Sequence, residues 1–166
     1  MENKHSIAEL IHRAQRHWPE IATPENDIAL CLIRLHDLAM EQSALRLAPF
    51  ELSQAAFEVL VTLRSLPHPR MLTPTELYHA VLITSGGMTK ILKHLEIRGD
   101  IERLENEQDK RSKYVKLTAQ GCELAEKAMQ AVNEGDHLLL EKAFDTDELN
   151  QFRQLLLTAV HRLEST

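Results

Sequence analysis

Apolar residues recur every three or four positions over most of the chain, which is the spacing of helices with one buried face. Three such segments open the chain, at residues 6–18, 27–47 and 53–66, and a proline follows closely after each of them. The first begins with the sequence Ser-Ile-Ala-Glu, a capping box in which two side chains satisfy free backbone N–H groups. We therefore predict three helices separated by short connectors.

Two shorter helical patterns almost touch in the middle of the chain. The first, at residues 73–81, opens with Thr-Pro-Thr-Glu, which supplies a cap, a proline at the first helical position and a capping-box glutamate. The second starts near Thr84 or Ser85 and runs to Arg98, where Gly99 acts as its stop signal. Such a close pair of helices is typical of a helix-turn-helix.

A charged loop between two short strand patterns follows this helix pair. Residues 101–105 and 113–117 predict the strands, and Val115 and Leu117 point inward by their alternation. The sequence Asn-Glu-Gln-Asp-Lys-Arg-Ser joins them as a hairpin loop. A helix-turn-helix followed by a hairpin is a winged helix, in which one helix enters the major groove and the wing reaches backbone or minor groove.

Two more helical patterns close the chain. Thr118 is a suitable N-cap for a long helix that reaches about Ala143. Within it, Gly135 marks a kink or a close contact with another helix. The sequence Asp-Thr-Asp-Glu, beginning at Asp145, is another capping box and opens the final helix.

Together these elements predict a mainly α-helical fold with a small β-hairpin. We assign one domain to residues 1–166, in which segments 1–48 and 118–166 carry the terminal helices and segment 49–117 forms the winged helix-turn-helix. The terminal helices carry continuous apolar stripes that a body of this size can hardly cover alone. Packing within the chain and a homodimer built from these helices are the two interpretations.

Charge separates one segment from the rest of the chain. The net charge is −6, yet residues 85–116 carry eight Lys or Arg and six Asp or Glu, a net of +2. The remainder carries eleven basic and nineteen acidic residues, a net of −8. An acidic protein with one locally basic segment can still bind DNA, because only the contacting face meets the phosphates.

The second central helix has a buried stripe opposite a face that is small at its start and basic further on. Small residues allow a close approach to a surface, and the positive end of the helix dipole favours phosphate. An ordinary solvated helix face is the alternative interpretation. The candidate DNA-contacting residues are Ser85, Gly86, Gly87, Thr89, Lys90, Lys93 and His94 in this helix, and Asp109, Lys110, Arg111 and Lys113 in the wing.

Three sequences in this order resemble the multiple-antibiotic-resistance regulator (MarR) family of bacterial transcription factors. They are LTPTELYHAVLITSGGMTKILKHLEIRGDIER, the wing DKRSKYVKLT, and LTAQG at the start of the long helix. The resemblance implies an obligate homodimer that binds a palindromic double-stranded DNA operator. It implies release by a small phenolic or anionic effector, bound between the dimer helices and the reading head. It also implies that Arg111 enters the minor groove and that Asp109 holds it by a salt bridge.

The resemblance has departures and one possible branch. Ile91 stands where many family members carry Arg, and Asp100 stands where an apolar residue is usual. The extra N-terminal helix with Trp18 resembles the urate-responsive branch, and Glu58 and Arg103 match residues of its ligand site. Ile91 replaces another arginine of that set, which weakens the case for urate itself. Trp18 is also explained as a hydrophobic anchor for the added helix.

Enzymatic and metal chemistry find little support in the sequence. It contains no Gly-rich phosphate loop, nucleophile elbow or two-histidine helix motif, so we predict no enzyme, no cofactor and no metal. His5, His12 and His17 fit surface positions, with zinc sensing as the alternative. Cys31 and Cys122 have no metal-ligand spacing and fit two small buried residues, with redox sensing as the alternative.

The sequence also bears on where the protein acts and on its class of function. No apolar run approaches the roughly 18 residues of a membrane span, and no secretion signal opens the chain, so we expect a cytoplasmic, nucleoid-associated protein without membrane contact. The function predicted is sequence-specific DNA binding. The alternative from another class is a winged helix used only for contacts with proteins.

Overall fold

Helices form most of the computed structural model, which describes residues 6–81, 87–106, 109 and 112–165. The helices are α1 Ile7–His17, α2 Pro24–Leu47, α3 Gln54–Ser65, α4 Pro74–Ala80, α5 Met88–Arg98, α6 Ala119–Glu141 and α7 Thr146–Glu164. The strands are β1 Met71–Leu72, β2 Ile101–Glu105 and β3 Lys113–Leu117. Single 3-10 turns lie at Pro19–Ile21 and Ala48–Phe50. Across the described ranges, no helix combines the length and apolar character of a membrane span.

Side-chain caps start the helices where the sequence predicts them. The Oγ atoms of Ser6 and Thr73 and the carboxylate of Asp145 each accept a backbone N–H from the first turn that follows, and all three predicted capping boxes are confirmed. Helix α2 begins at Pro24, three residues earlier than predicted. Thr23 explains the difference, because its Oγ1 accepts the backbone N–H of Asn26 at 3.3 Å.

The start of α5 corrects the sequence prediction. The helix begins at Met88, later than the predicted start near Thr84 or Ser85, and residues 82–86 lie outside the described ranges. Gly87 precedes it as N-cap with φ of 113°, a left-handed conformation that cannot continue a right-handed helix. The predicted stop is confirmed, since Gly99 caps the other end with φ of 81°.

The sheet is antiparallel in the order β1-β3-β2. Strands β2 and β3 have the predicted bounds and pair from Ile101 opposite Leu117 to Glu105 opposite Lys113. Strand β1 was missed, because two residues are too few to show an alternating pattern. Its Met71 pairs with Lys116 and so ties the segment before α4 to the sheet.

The chain divides into two compact units, Met1–Glu41 and Gln42–Thr166. The boundary falls inside α2, and the assignment of one domain with three segments stays a prediction. The core lies in the second unit, where side chains of α3, α4, α5 and the sheet meet with almost no exposure. Its most buried members include Leu60, Leu63, Leu77, Leu92, Leu95 and Val115. This core fixes the rotation of α5 about its own axis.

Gly135 lies at a close contact between α6 and α2. Helix α6 continues through it from Ala119 to Glu141. A Cβ atom at Gly135 would lie 3.0 Å from Cγ of Arg46, near the end of α2. Of the two predicted roles for this glycine, the structure therefore selects the close contact.

Candidate nucleic-acid interface

Helix α5 presents its polar side chains to solvent because its apolar stripe is fixed in the core. Leu92 and Leu95 are 1% and 0% exposed, and Met88 and Ile91 are half-buried beside them. The opposite face carries four of the predicted site residues, all exposed: Thr89, Lys90, Lys93 and His94. Two further predicted residues, Ser85 and Gly86, lie outside the described ranges.

The described residues leave the N-terminal end of α5 open. Gly87 is exposed, and apart from its chain neighbours no described atom lies within 4 Å of the place where a side chain would begin. No side chain caps this end within the described part of the chain. The positive end of the helix dipole therefore faces a surface that an anionic group can approach closely.

The basic side chains between positions 87 and 116 fall into two groups, those that pair with a carboxylate and those that do not. Four of the six described Lys and Arg residues between positions 87 and 116 lie within ion-pair distance of a carboxylate. These pairs are Arg98 with Asp100 at 2.8 Å, Arg103 with Glu96 at 3.2 Å, Lys113 with Glu105 at 2.8 Å and Lys116 with Glu102 at 2.9 Å. Lys90 and Lys93 are the other two, and neither pairs with a carboxylate in the parts of the chain described. Among the described residues, no carboxylate therefore compensates the positive charge of Lys90 and Lys93 on the exposed face of α5.

The base of the wing is described, and its tip in part. Asp109 is exposed, donates its backbone N–H to Oδ1 of Asn106 at 3.2 Å and accepts the backbone N–H of Ser112 at 3.0 Å. Lys110 and Arg111 lie outside the described ranges, so the predicted salt bridge between Asp109 and Arg111 stays a prediction.

A buried polar junction joins α5 to the wing and to α6, and sequence reasoning missed it. Asp100 is fully buried between Gly99 and β2. Its Oδ1 accepts a hydrogen bond from Nε2 of Gln120 at 3.0 Å, and its Oδ2 lies 2.8 Å from Nε of Arg98. The departure of Asp100 from an apolar residue was the one signal in the sequence, but the partners of a buried charge are set by the fold.

Comparisons with known proteins agree on one family. Residues 52–113 match the model of the MarR family. The multiple antibiotic resistance protein MarR of Escherichia coli (strain K12) is 34% identical over 110 residues, which cover 66% of this chain and 74% of that protein. An HTH-type transcriptional regulator of Bacillus anthracis is 34% identical over 139 residues, covering 81% of this chain and 87% of that protein. The chain belongs to the MarR family of transcriptional regulators.

Solved structures of MarR regulators share the fold. The apo form of wild-type MarR from E. coli superposes with a TM-score of 0.70 at 29% identity, covering 78% of this chain and 93% of that one. A mutant MarR from E. coli in complex with operator DNA gives a TM-score of 0.65 at 29% identity, covering 82% and 98%. The predicted MarR-like winged-helix fold with its small antiparallel sheet is confirmed.

The three effector residues suggested by the MarR resemblance have separate surroundings. Trp18 belongs to the first unit and is 60% exposed, whereas Glu58 and Arg103 belong to the second. Glu58 is half-buried on α3, where burial raises its pKa and a hydrogen bond with the Gln54 side chain lowers it in part. Nε of Arg103 lies 3.2 Å from Oε2 of Glu96. A site shared by the three residues stays a prediction.

A cleft between α3 and α6 was not foreseen from the sequence. It encloses about 700 Å³ and has a mainly apolar wall that includes Val61, Ala125 and Met129. Arg64 and Glu126 face each other at its side, with Nη2 of the arginine 2.6 Å from Oε1 of the glutamate. A cavity is formed by side chains that meet only in the fold, so hydrophobic periodicity could not reveal it.

Histidines and cysteines give no ligand set in the described ranges. No group of three or more His, Cys, Asp or Glu there could hold a metal ion, and His5 lies outside those ranges. Both cysteines are free. Cys31 is exposed, which corrects the expectation of a buried residue, because an apolar face seen in the sequence of α2 does not tell whether other residues cover it. Cys122 is half-buried, and its Sγ accepts a hydrogen bond from Nη1 of Arg70 at 3.1 Å.

Proposed function

We propose that the chain is a ligand-responsive repressor that binds a palindromic double-stranded DNA operator as a homodimer. Helix α5 would enter the major groove, and the wing would reach the backbone or minor groove. The observation that carries the proposal is that Lys90 and Lys93, on the exposed face of α5, pair with no carboxylate of the described residues. No observation favours the alternative of a winged helix used only for protein contacts.

The distribution of ion pairs supports DNA as the partner. A lysine that already pairs with a carboxylate gains less from a phosphate, because the earlier partner must be given up. Lys90 and Lys93 pair with no described carboxylate, so neither has to give one up to bind a phosphate. They lie one turn apart on one face of α5. Phosphate contacts of this kind supply most of the sequence-independent affinity of DNA-binding proteins.

Different residues of the interface would have different roles. Thr89 and Gly87 lie at the open end of α5, where base edges can be approached, and Lys90, Lys93 and His94 lie further along. Lys113 contributes less in this proposal, because Glu105 already pairs with it at 2.8 Å. On the basis of the sequence, the proposed interface is completed by Ser85, Gly86, Asp109, Lys110 and Arg111.

Exposed apolar surface supports the proposed homodimer. Helix α7 has no buried residue over its 19 positions, and Leu155 and Leu163 are 71% and 79% exposed. In α2, Ile28, Ile33 and Leu45 are 60%, 62% and 70% exposed. Large exposed apolar patches mark interaction sites on stable proteins. A second copy of the chain would cover these stripes.

The α3–α6 cleft supports an effector. Its volume of about 700 Å³ and its mainly apolar wall suit a small aromatic or aliphatic molecule. The guanidinium of Arg64 at its side could bind an anionic group if Glu126 were displaced. The site suggested by Trp18, Glu58 and Arg103 is the second candidate for the effector. As a regulator of its own genome, the protein would act at the nucleoid in the cytoplasm.

Selection of DNA from a random duplex library tests the proposed function. The full chain should enrich one palindromic sequence, and fluorescence anisotropy should show roughly a thousandfold or greater preference over a scrambled duplex. Enrichment of no sequence, together with equal binding of both duplexes, would contradict sequence-specific binding.

A further inference from the structure

We propose that Gln120 and Asp100 are positioning residues that hold α5 and the wing at a fixed spacing. The proposal rests on the proposed DNA-binding function and adds a residue pair that is not among the residues proposed to contact DNA. The polar junction defined above, formed by Arg98, Asp100 and Gln120, is the structural feature that carries it.

The junction connects four parts of the second unit. Arg98 ends α5, Asp100 precedes β2, and Gln120 lies in the first turn of α6. Nη1 of Arg98 also donates to the backbone oxygens of Phe50 and Glu51, at 3.3 and 3.1 Å, in the connector that precedes α3. One small cluster therefore fixes α5, the base of the wing, α6 and this connector with respect to one another.

The side chain of Gln120 fixes the relative positions of Arg98 and Asp100. Its Nε2 donates to the backbone oxygen of Arg98 at 2.8 Å and to Oδ1 of Asp100 at 3.0 Å. The two acceptors lie on either side of Gly99, the residue at which the chain leaves α5. A single exposed side chain thus holds the turn between the helix and the wing.

Backbone contacts bring α6 unusually close to the same turn. Thr118 donates its backbone N–H to the oxygen of Asp100 at 3.1 Å and its hydroxyl to the oxygen of Gly99 at 2.8 Å. A Cβ atom at Gly121 would lie 1.9 Å from the oxygen of Asp100, so only glycine fits there. The first turn of α6 is therefore seated on the turn that joins α5 to β2.

The buried carboxylate of Asp100 is better explained as a group that fixes the position of its neighbours than as one that stabilises the fold. It is fully buried, and its Oδ2 faces Nε of Arg98 without an aligned hydrogen bond from any described group. A buried ion pair contributes little stability compared with apolar residues of the same volume, and its best-attested use is to fix one arrangement among several. Here the arrangement fixed is the direction in which β2 leaves α5.

A fixed spacing matters because α5 and the wing must reach one duplex at the same time. If the junction loosens so that about one conformer in ten keeps the competent spacing, the apparent affinity for the operator falls about tenfold. Non-specific binding depends on phosphate charge alone and does not need this spacing. Loosening the junction should therefore reduce discrimination between sequences.

The variant Gln120→Ala tests the proposal. Gln120 is exposed and alanine favours helices, so the chain should fold. Gln130→Ala is the matched control, since Gln130 is exposed on the same helix and its Nε2 donates to Oε1 of Glu134 at 3.0 Å. With the duplex selected by the wild-type chain, Gln120→Ala should lose about tenfold in affinity and keep its affinity for scrambled DNA. The control should change neither affinity, and the melting temperatures of both variants should agree within a few degrees.

Hydrogen exchange separates failure of this inference from failure of the proposed function. The backbone amide of Thr118 donates to the oxygen of Asp100 across the junction, and that of Asp100 donates to the oxygen of Leu95 at the end of α5. Both amides should exchange faster in Gln120→Ala than in Gln130→Ala. Equal exchange in the two variants would overturn the inference, whether or not the chain binds DNA. Faster exchange with unchanged operator discrimination would also overturn it, because the junction would then be structural only. If the wild-type chain selects no duplex, the proposed function fails, and the exchange measurement alone decides whether the junction holds α5.

Discussion

The winged-helix core and the terminal helix α7 use apolar residues in opposite ways. In the core, Leu63 and Leu77 are fully buried among neighbours from α3, α4, α5 and the sheet. In α7, Leu163 is 79% exposed, and none of the 19 residues is buried. Both segments show helical periodicity in the sequence, so periodicity reports an apolar face without telling what covers it. The core buries its apolar side chains within one chain, whereas α7 leaves its apolar face exposed. The proposed dimer would cover that face.

The largest expected effect is the difference in stability between a substitution in the core and a matched substitution in α7. Leu63→Ala should lower the free energy of unfolding by about 2–5 kcal/mol, because it leaves a cavity in a packed core. At a protein concentration low enough to keep the chain monomeric, Leu163→Ala should change it by no more than about 0.5 kcal/mol. Urea unfolding of both variants measures the difference. Similar losses in the two variants would break the comparison.

A charged residue in α7 should separate the proposed dimer without unfolding the chain. Leu163→Asp places a carboxylate in the apolar stripe, and an unpaired charge in a buried interface is strongly unfavourable. Light scattering at micromolar concentration should give the mass of two chains for the wild type and of one chain for the variant. Gln154→Asp, on an exposed position of the same helix, is the control and should remain a dimer. A wild-type mass of one chain would show that α7 has another partner.

The smallest expected effect concerns a polar group at the edge of the core. Burial raises the pKa of Glu58 above its usual value of 4.5, so the folded state binds this proton more tightly than the unfolded state. The resulting stabilisation is complete below pH 4.5 and is lost as the pH rises through the raised pKa. Glu58→Gln should therefore gain stability relative to the wild type as the pH rises above 4.5 through the raised pKa, which thermal melts at a series of pH values would show. A difference that stays constant with pH would contradict the burial of this carboxylate.

Local signals in the sequence predicted the helices and strands well. They did not predict which of these elements pack against one another. Ser6, Thr73 and Asp145 identified helix starts because a cap interacts with residues only two or three positions away. The strands β2 and β3 were predicted with their bounds, because a charged loop separates two short segments that carry apolar residues and Val115 and Leu117 alternate in the second. Helix α5 begins later than predicted because the positive φ of Gly87 is a property of the folded backbone.

In the candidate DNA-binding site, too, local features were predicted from the sequence and long-range contacts were not. The exposure of Lys90 and Lys93 followed from periodicity, because the apolar stripe of α5 defines its buried face. The burial of Asp100 against Arg98 and Gln120 depends on α6 returning to the end of α5, because Gln120 lies 20 residues after Asp100 in the sequence. Long-range contacts of this kind are set by packing and leave no local pattern.

The salt dependence of DNA affinity tests the central claim that α5 faces DNA. With roughly six phosphate contacts per dimer, log affinity should fall against log salt with a slope of about −5. Lys90→Ala or Lys93→Ala changes both protomers, so loss of a phosphate contact should flatten the slope by roughly two and weaken selected and scrambled DNA alike. Lys127→Ala, an equal charge change on an exposed position of α6, should leave the slope unchanged. If neither Lys90→Ala nor Lys93→Ala alters the slope or the affinity, α5 does not face DNA and the account is contradicted.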